Sequence, residues 1–287
     1  MTLWLFKDAA AFLDVAGPRL LAREAENALL LGVAAAVRDG RRYGPEPPFL
    51  ACVVAGGAVT AAAVRTPPYN LLLSRATRPD WEPIAAHLAA VGAALPGVNA
   101  EQDVALDFAE WWSAARGVGH EVAMRQRLYR LTAVAQPVAV SGRARPAEAA
   151  DARLLSAWVD AFSVEAIPGS PAGDAAALVA RCVAAGALLV WDDGKPVSMA
   201  AATRSTPHGG SISLVYTPPD KRRRGYASAC VASLSQRLLD SGKSFCTLFT
   251  DVANPTSNRI YHRMGYEPLA DCLEIRFTDS SAGRQST

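Results

Sequence analysis

The stretch from Tyr216 to Ala229, which reads Y-T-P-P-D-K-R-R-R-G-Y-A-S-A, restricts the fold more than any other part of the sequence. An apolar segment from Ser211 to Tyr216 predicts a strand, two prolines then turn the chain, four cations follow, and an apolar helix is predicted beyond Gly225. The first N–H groups of a helix have no partner within it and lie at the positive end of the helix dipole. Because a glycine lets the backbone approach a phosphate closely, this segment predicts an anion site suited to a nucleotide or coenzyme.

The glycine spacing separates this segment from two common phosphate loops. It contains neither G-x-G-x-x-G nor G-x-x-x-x-G-K-[ST], so it lacks the glycines of the dinucleotide-binding and NTPase loops. It reads Arg222-x-x-Gly225-x-Ala227. This pattern resembles the [Q/R]-x-x-G-x-[G/A] loop of the GNAT superfamily of N-acetyltransferases, in which the loop holds the pyrophosphate of acetyl-coenzyme A.

A second segment, from Asp251 to Tyr266, resembles another part of the same family. It reads D-V-A-N-P-T-S-N-R-I-Y-H-R-M-G-Y and is similar to N-x-x-[SA]-x-x-x-Y-x-x-x-G-[FY]. Pro255 suits the first turn of a helix, and Gly265 suits the helix C-terminus. The two segments follow each other in the family's order, separated by one predicted helix and one predicted strand. The matching positions are Asn254, Ser257, Tyr261, Gly265 and Tyr266.

The resemblance implies a coenzyme-binding role for three groups of residues. The backbone at the end of the predicted strand would pair with the pantetheine arm and polarise the thioester carbonyl. The basic loop would hold the pyrophosphate, mostly through backbone N–H groups. Asn254 would hydrogen-bond the pantetheine or cap the helix that follows. The strand-end residues are Leu214, Val215, Tyr216 and Thr217, and the loop residues are Arg222, Arg223, Arg224, Gly225, Tyr226, Ala227 and Ser228.

The resemblance also implies candidates for proton transfer. Tyr261 is the candidate general acid, because a phenol is protonated at neutral pH and can donate to a departing thiolate. Glu165 is the candidate general base, since it lies in a loop that lines the acceptor site in the family. Asp160 and Asp251 are alternatives for that role. Trp158 and Phe162 either line an acceptor pocket or pack in the core.

The order of predicted elements indicates two similar halves. The fold class predicted is α/β (α+β): the GNAT acyl-CoA N-acyltransferase fold, a mixed and mostly antiparallel sheet flanked by helices, present twice in tandem. We expect a degenerate N-terminal domain at 1–136 and a catalytic domain at 137–287, with the linker near Ala135 to Pro146. The first half has no glycine at the matching helix entry, which follows a predicted strand at Asn70 to Ser74, so it is not expected to bind coenzyme.

The first half is predicted to contain helices at Asp8–Ala16, Arg23–Arg38, Trp81–Leu95 and Val104–Arg116, a hairpin at Phe49–Ala55 and Ala58–Arg65, and a strand at Arg127–Val134. The second half is predicted to contain helices at Ala147–Phe162 and Asp174–Ala184, and strands at Ala187–Asp192, Val197–Arg204 and Ser244–Thr250.

Composition limits the partners and the compartment. The formal charge is only +2, so a nucleic-acid partner is not expected. Five scattered cysteines and four isolated histidines have no metal-ligand spacing, and no metal is expected. No signal peptide or membrane span is recognised, so we expect a cytoplasmic monomer or homodimer that does not bind membranes.

The sequence therefore predicts an acetyl-CoA-dependent N-acetyltransferase that modifies a primary amine of a small molecule or peptide by direct attack. A non-catalytic, CoA-binding regulatory module is the alternative.

Overall fold

The structure, a computed structural model, describes residues 1–135, 139–166 and 173–279. The chain forms two compact units. Within the described residues, unit 1 comprises 1–128, 251–253 and 270–279, and unit 2 comprises 129–250 and 254–269. The predicted domain boundary between residues 136 and 137 lies outside the described residues. No helix of the described chain has both the length and the apolar content needed to cross a membrane.

Unit 1 contains five complete strands, four helices, residues 119–128 of the sixth strand and residues 270–278 of the last strand of the chain. Its strand order is β1-β2-β3-β4-β5-β12-β6, in which β4 and β5 are parallel and β12 is antiparallel to β5. The elements are β1 (Thr2–Phe6), α1 (Ala9–Leu21), α2 (Ala28–Arg38), β2 (Phe49–Ala55), β3 (Ala58–Arg65), β4 (Leu71–Leu73), α3 (Arg78–Ala90), β5 (Gly97–Glu101), α4 (Gln102–Arg116), β6 (Gly119–Leu131) and β12 (Glu267–Thr278).

Unit 2 has the strand order β6-β11-β10-β9-β8-β7, to which β6 contributes residues 129–131. Strands β10 and β11 are parallel, whereas the successive pairs from β7 to β10 are antiparallel. The elements are β7 (Arg143–Pro146), a 3₁₀ turn (Ala149–Asp151), α5 (Ala152–Ala166), α6 (Ala175–Ala184), β8 (Leu188–Asp192), β9 (Pro196–Ser205), β10 (Gly209–Tyr216), α7 (Tyr226–Asp240), β11 (Phe245–Asp251) and α8 (Pro255–Arg263).

The two halves of the chain share one element order. Both β1 to β6 and β7 to β12 run strand, two helices, three strands, helix, strand, helix, strand. This confirms the predicted repeat, including the mixed and mostly antiparallel sheets flanked by helices.

Most of the predicted elements are present, and the β2–β3 hairpin has the predicted bounds. The predicted helix from Arg23 is wrong in its first turn, since α2 begins only at Ala28. The side-chain amide of Asn27 donates to the carbonyls of Leu20 and Arg23, and these bonds close a turn between α1 and α2. The predicted helix Trp81–Leu95 lies at Arg78–Ala90, because the Ala93 N–H turns back to the Leu88 carbonyl at 2.9 Å and ends it.

Each unit buries apolar side chains on both faces of its strands. In unit 1 one cluster surrounds Trp81 and Phe108, and another surrounds Phe12 and Leu20. In unit 2 helix α7 covers one cluster, and helices α5 and α6 cover the other. The loop between β10 and α7 is therefore held between a buried strand and a buried helix.

Candidate active site

Strands β10 and β11 part in the middle of unit 2. They pair in parallel only from Gly209 to Ser211, opposite Phe245 to Thr247. The pairing of β10 with β9 is also irregular between Ser213 and Tyr216, and Leu214 has a positive φ of 52°. From Ile212 onward no pairing of β10 with β11 is seen among the described residues. We call this unpaired stretch between the two strands the gap; an extended ligand can pair with such a strand edge. The predicted pantetheine residues Leu214, Val215, Tyr216 and Thr217 lie along this edge.

Buried hydroxyl groups fix the end of β10. Ser198 Oγ, which is fully buried, donates to the Tyr216 carbonyl at 3.0 Å and lies 2.8 Å from Thr217 Oγ1. A buried hydrogen-bonded pair has few alternative arrangements, so the edge of the gap is preorganised. Ser198 could not be identified from the sequence, since a single serine in an apolar strand gives no recognisable signal.

The loop after β10 presents a row of backbone donors. Residues Pro219–Lys221 form a 3₁₀ turn, Arg223 has a φ of 63°, and α7 begins at Tyr226 without a side-chain cap. Within the described part of the chain, no acceptor bonds any N–H group of residues 223–228. Six successive donors at the positive end of a helix are the arrangement that an anionic ligand such as a phosphate needs.

Gly225 and Tyr226 fix the shape of this loop. Gly225 has a φ of 84°, and a Cβ there would lie 2.7 Å from Val140 Cγ1, so glycine is required. Tyr226 is buried, and its hydroxyl donates to Asp193 Oδ2 at 2.6 Å. Hydrogen bonds from Tyr226 and Ser141 lower the pKa of Asp193. The first turn of α7 is thus tied to the turn between β8 and β9.

The arginine side chains of the loop differ in their contacts. Arg222 Nε donates to the Thr217 carbonyl at 2.9 Å, and Arg222 Nη2 lies 2.6 Å from Glu165 Oε2. Arg223 and Arg224 are exposed, and no ion pair joins either to a carboxylate of the described chain at salt-bridge distance. The predicted pyrophosphate residues therefore lie together in one loop, but the Arg222 side chain faces Glu165.

Helix α8 places Tyr261 beside two other tyrosines. Asn254 Oδ1 accepts from the Ser257 N–H at 3.0 Å and Pro255 starts the helix, as predicted from the sequence. At the other end the Tyr266 N–H donates to the Tyr261 carbonyl at 3.0 Å, while Gly265 takes a φ of 96°. This helix ending fixes the backbone of Tyr261.

Tyr261 and Tyr266 differ in their hydroxyl environments. Burial raises the pKa of Tyr261 to about 12. Its hydroxyl has no hydrogen-bond partner among the described residues, and these residues do not enclose it completely. The Tyr266 hydroxyl is 2.9 Å from Ser235 Oγ in the core. Tyr261 can therefore offer a proton to a ligand, whereas Tyr266 is part of the packing.

The carboxylates considered as bases lie in three settings. Glu165, at the end of α5, contacts both Arg222 and the Tyr216 hydroxyl, the latter at 3.4 Å. Asp160 is exposed on α5, and Asp251 accepts from the Ala253 N–H at 2.8 Å. Glu165 thus contacts both the loop and the strand that carry the predicted coenzyme residues.

Aromatic side chains from α5 line the core below this carboxylate. Trp158 is buried, 6.1 Å from the Tyr216 ring between centroids, and Phe162 packs against the same cluster.

Among the described residues, no group of His, Cys, Asp or Glu side chains could hold a metal ion.

Comparisons with known proteins agree with this arrangement. Residues 193–275 match the FR47-like protein family model. A search of curated protein sequences found no significant match. Among solved structures, a GCN5-related N-acetyltransferase from Sphaerobacter thermophilus superposes with a TM-score of 0.62 at 16% identity, covering 97% of this chain and 96% of that chain.

Two further structures extend the comparison over the full length. A GNAT-family acetyltransferase from Colwellia psychrerythraea gives a TM-score of 0.56 at 12% identity, covering 98% of this chain and 100% of that one. A tandem GNAT protein from the clavulanic acid biosynthesis pathway gives 0.55 at 13%, covering 99% and 100%. At these identities the structures show a shared fold. This chain therefore has the fold of these GNAT-family proteins, and residues 193–275 also match the FR47-like family model.

Proposed function

We propose that this protein is an acetyl-CoA-dependent N-acetyltransferase that acts on a primary amine of a small molecule or peptide. The observation that carries the proposal is the row of six N–H groups at residues 223–228, which have no acceptor among the described residues and follow the point where β10 leaves β11. One end of this site suits a diphosphate, and the other suits an extended, amide-containing chain. Coenzyme A fits both ends, because its pyrophosphate is joined to the pantetheine, an extended chain that contains amides.

The residues present fit the chemistry of amide formation. The amine nitrogen attacks the thioester carbonyl carbon, a C–N bond forms, and the C–S bond breaks. A backbone N–H group at Leu214 to Thr217 would polarise the carbonyl oxygen. Tyr261 gives its proton to the departing sulfur and regains one from solvent. The surplus proton of the amine goes to water or to a carboxylate, for which Glu165 is the candidate.

Several of the structurally similar proteins are described as acetyltransferases, which supports acyl transfer as the reaction class. The fold alone does not determine the acceptor. We infer a small-molecule or peptide amine because the formal charge of the chain is only +2, which gives no general attraction for a polyanionic acceptor.

Two measurements test this function. Titration calorimetry with coenzyme A should show binding to the full chain. A screen of primary amines with acetyl-CoA, followed by detection of the released thiol, should then identify an acceptor. Release of thiol without amine-dependent acceleration, or no binding of coenzyme A, would contradict the proposal.

The second candidate function is a coenzyme-binding module without turnover. It is favoured if coenzyme A binds and no acceptor accelerates thiol release. The Tyr261 hydroxyl, which has no hydrogen-bond partner in the part of the chain that the structure describes, favours the enzyme, because a tyrosine with only a packing role would be satisfied internally, as Tyr266 is by Ser235.

A further inference from the structure

The side chain of Arg222 departs from the role that the loop pattern gives it. Its guanidinium makes three contacts: to the Thr217 carbonyl at 2.9 Å, to Glu165 Oε2 at 2.6 Å, and over the Tyr216 ring at 5.7 Å. All three partners lie at the end of β10 or the end of α5. Its donors and its charge are thus directed at the rim of the gap, and none of these contacts is with residues 223–228.

Glu165 is held at that rim from two sides. One carboxylate oxygen pairs with Arg222, and the other accepts from the Tyr216 hydroxyl at 3.4 Å. The Glu165 side chain nevertheless keeps 44% of its exposure, so a ligand can reach it. A carboxylate that is fixed and accessible beside a strand end lined by Tyr216 and Thr217 is suited to receive an ammonium or amine group.

We infer that Arg222 is a positioning residue for the acceptor side of the site, which holds Glu165 where the amine approaches, and that its side chain is not the pyrophosphate ligand. This inference rests on the proposed function. The diphosphate is then bound by the N–H groups of residues 223–228 with Arg223 and Arg224. A fork-shaped guanidinium can bind a backbone carbonyl and a carboxylate at once, which a lysine ammonium at the same position does less well.

The first test needs no acceptor. Titration calorimetry with coenzyme A compares the parent chain with Arg222→Ala and, as a matched control, Arg223→Ala, whose side chain has no ion pair or hydrogen bond with the described residues. We expect Arg222→Ala to change the Kd of coenzyme A by less than about threefold and Arg223→Ala to weaken binding more. A loss of tenfold or more in Arg222→Ala, larger than in the control, would overturn the inference.

The second test uses the acceptor found in the screen. Arg222→Ala and Glu165→Gln should each raise the acceptor KM by about tenfold. The KM of the double variant should not exceed the larger KM of the two single variants. Groups that act as one unit show such non-additivity. Arg222→Lys should not restore the parent KM, because an ammonium cannot reach both partners with the same geometry. Effects that multiply in the double variant, or an unchanged KM in Glu165→Gln, would contradict the assignment.

Glu165→Gln keeps the inference testable if Arg222→Ala does not fold, since it removes the same ion pair with almost no change in side-chain shape. Failure of the proposed function is recognised separately, in the parent chain, as absence of coenzyme A binding or of amine-dependent turnover. Failure of this inference appears only in the variants, as the loss of coenzyme affinity or the additivity described above.

Discussion

At the scale of single residues, the two tyrosines of α8 and its C-terminal turn differ in the surroundings of their hydroxyl groups. Tyr261 and Tyr266 lie 5.8 Å apart between ring centroids and both are buried, so composition and burial do not distinguish them. Their hydroxyl groups do, because only Tyr266 has a hydrogen-bond partner in the described core. The sequence pattern had already selected Tyr261, but the contrast with Tyr266 required the structure.

We predict that Tyr261→Phe lowers kcat by about 10²- to 10⁴-fold, the usual effect of losing a positioned acid, and leaves the Kd of coenzyme A nearly unchanged. The phenyl ring keeps the contacts with Tyr129 and Tyr266, so the melting temperature should change little. Tyr266→Phe is the control, since it should cost about 1 kcal/mol of stability and leave kcat intact. Steady-state kinetics and thermal unfolding of both variants provide the comparison.

The raised pKa of Tyr261 gives this prediction a pH dependence. With a pKa of about 12, the hydroxyl stays protonated well above neutral pH, so parent kcat should show no alkaline decline due to Tyr261 below about pH 11. A tyrosine-dependent decline near pH 9, absent in Tyr261→Phe, would contradict this assignment of the acid.

Gly225 supports a second prediction at this scale. Gly225→Ala places a side chain at a φ of 84° and 2.7 Å from Val140 Cγ1. We expect a loss of about 1–3 kcal/mol in stability and a weaker Kd for coenzyme A, because the N–H groups on either side must move. Adding Val140→Ala should recover part of the stability by removing the contact but not the backbone strain. Unchanged urea unfolding and an unchanged Kd in Gly225→Ala would contradict the role given to this loop.

At the scale of elements, the sequence predicted those segments whose signals are local. The β2–β3 hairpin was found because Gly56-Gly57 lies between two apolar runs, and α8 was found because Asn254 and Pro255 begin it. Strand β5 was missed, since Gly97–Glu101 is short and mixed in polarity. It is a strand because β4 and β12 pair with it, and β12 is far away in sequence.

The candidate site divides in the same way. The loop residues 222–228 and Tyr261 carry a local pattern, and the structure does place the loop at a helix start next to the parting strands. The contact between Arg222 and Glu165 joins positions 57 residues apart, and Ser198 reaches Thr217 from a neighbouring strand. Such contacts follow from the packing of α5 and β9 against β10, which local patterns do not encode.

The start of α5 offers an element-scale prediction. Asp151 accepts from Arg145 Nη1 and Nη2, at 2.7 and 2.9 Å, and from the Glu148 N–H at 2.8 Å. Hydrogen bonding to Arg145 lowers the pKa of Asp151. A pKa lower in the folded than in the unfolded chain stabilises the fold above the unfolded value near 3.8, and this contribution is lost as the pH falls through the folded value.

We therefore expect Asp151→Asn to cost about 1–2 kcal/mol at pH 7, and the difference from the parent to shrink as the pH approaches 3. Asp39→Asn, in the exposed pair with Arg38, is the control and should leave stability unchanged. Urea unfolding at several pH values measures both. A constant difference between parent and Asp151→Asn from pH 7 to pH 3 would show that the charge contributes nothing.

At the scale of the whole molecule, one element order occurs twice, but the described residues of unit 1 have no glycine-containing basic loop at the helix start that matches α7. In unit 1 the chain passes from β4 to α3 through Ser74–Thr77, without a glycine. The Asp80 carboxylate, in the first turn of α3, accepts from the Thr77 hydroxyl, and Arg78 pairs with Asp107. The start of α3 thus already has a negative charge of its own.

We predict that one coenzyme A binds per chain. Calorimetry should give a stoichiometry of one, and replacement of Arg223 and Arg224 together by alanine should weaken the Kd of that single site. The matched change in unit 1, replacement of Arg75 and Arg78 by alanine, should leave the Kd unchanged. A stoichiometry of two, or a Kd that the first double replacement leaves unchanged, would contradict the division between the copies.

The pairing of β12 determines whether the second half of the chain can fold by itself. Residues Cys272 to Arg276 of β12 pair with β5, and Leu273 and Ile275 are buried in the unit 1 core with 1% and 0% exposure. A fragment comprising residues 137–287 lacks β5, so these two side chains lose their cover. Each fully buried side chain of this size is worth about 1.5–3 kcal/mol.

We expect the 137–287 fragment to melt at a lower temperature than the full chain and to aggregate, although it contains every predicted coenzyme residue. Leu273→Ser with Ile275→Ser should improve the solubility of the fragment and destabilise the full chain, because the same side chains are exposed in one and buried in the other. Thermal unfolding and light scattering on the four proteins measure this. A fragment that matches the full chain in melting temperature and in its Kd for coenzyme A would show that β12 does not need β5, and that the second half folds by itself.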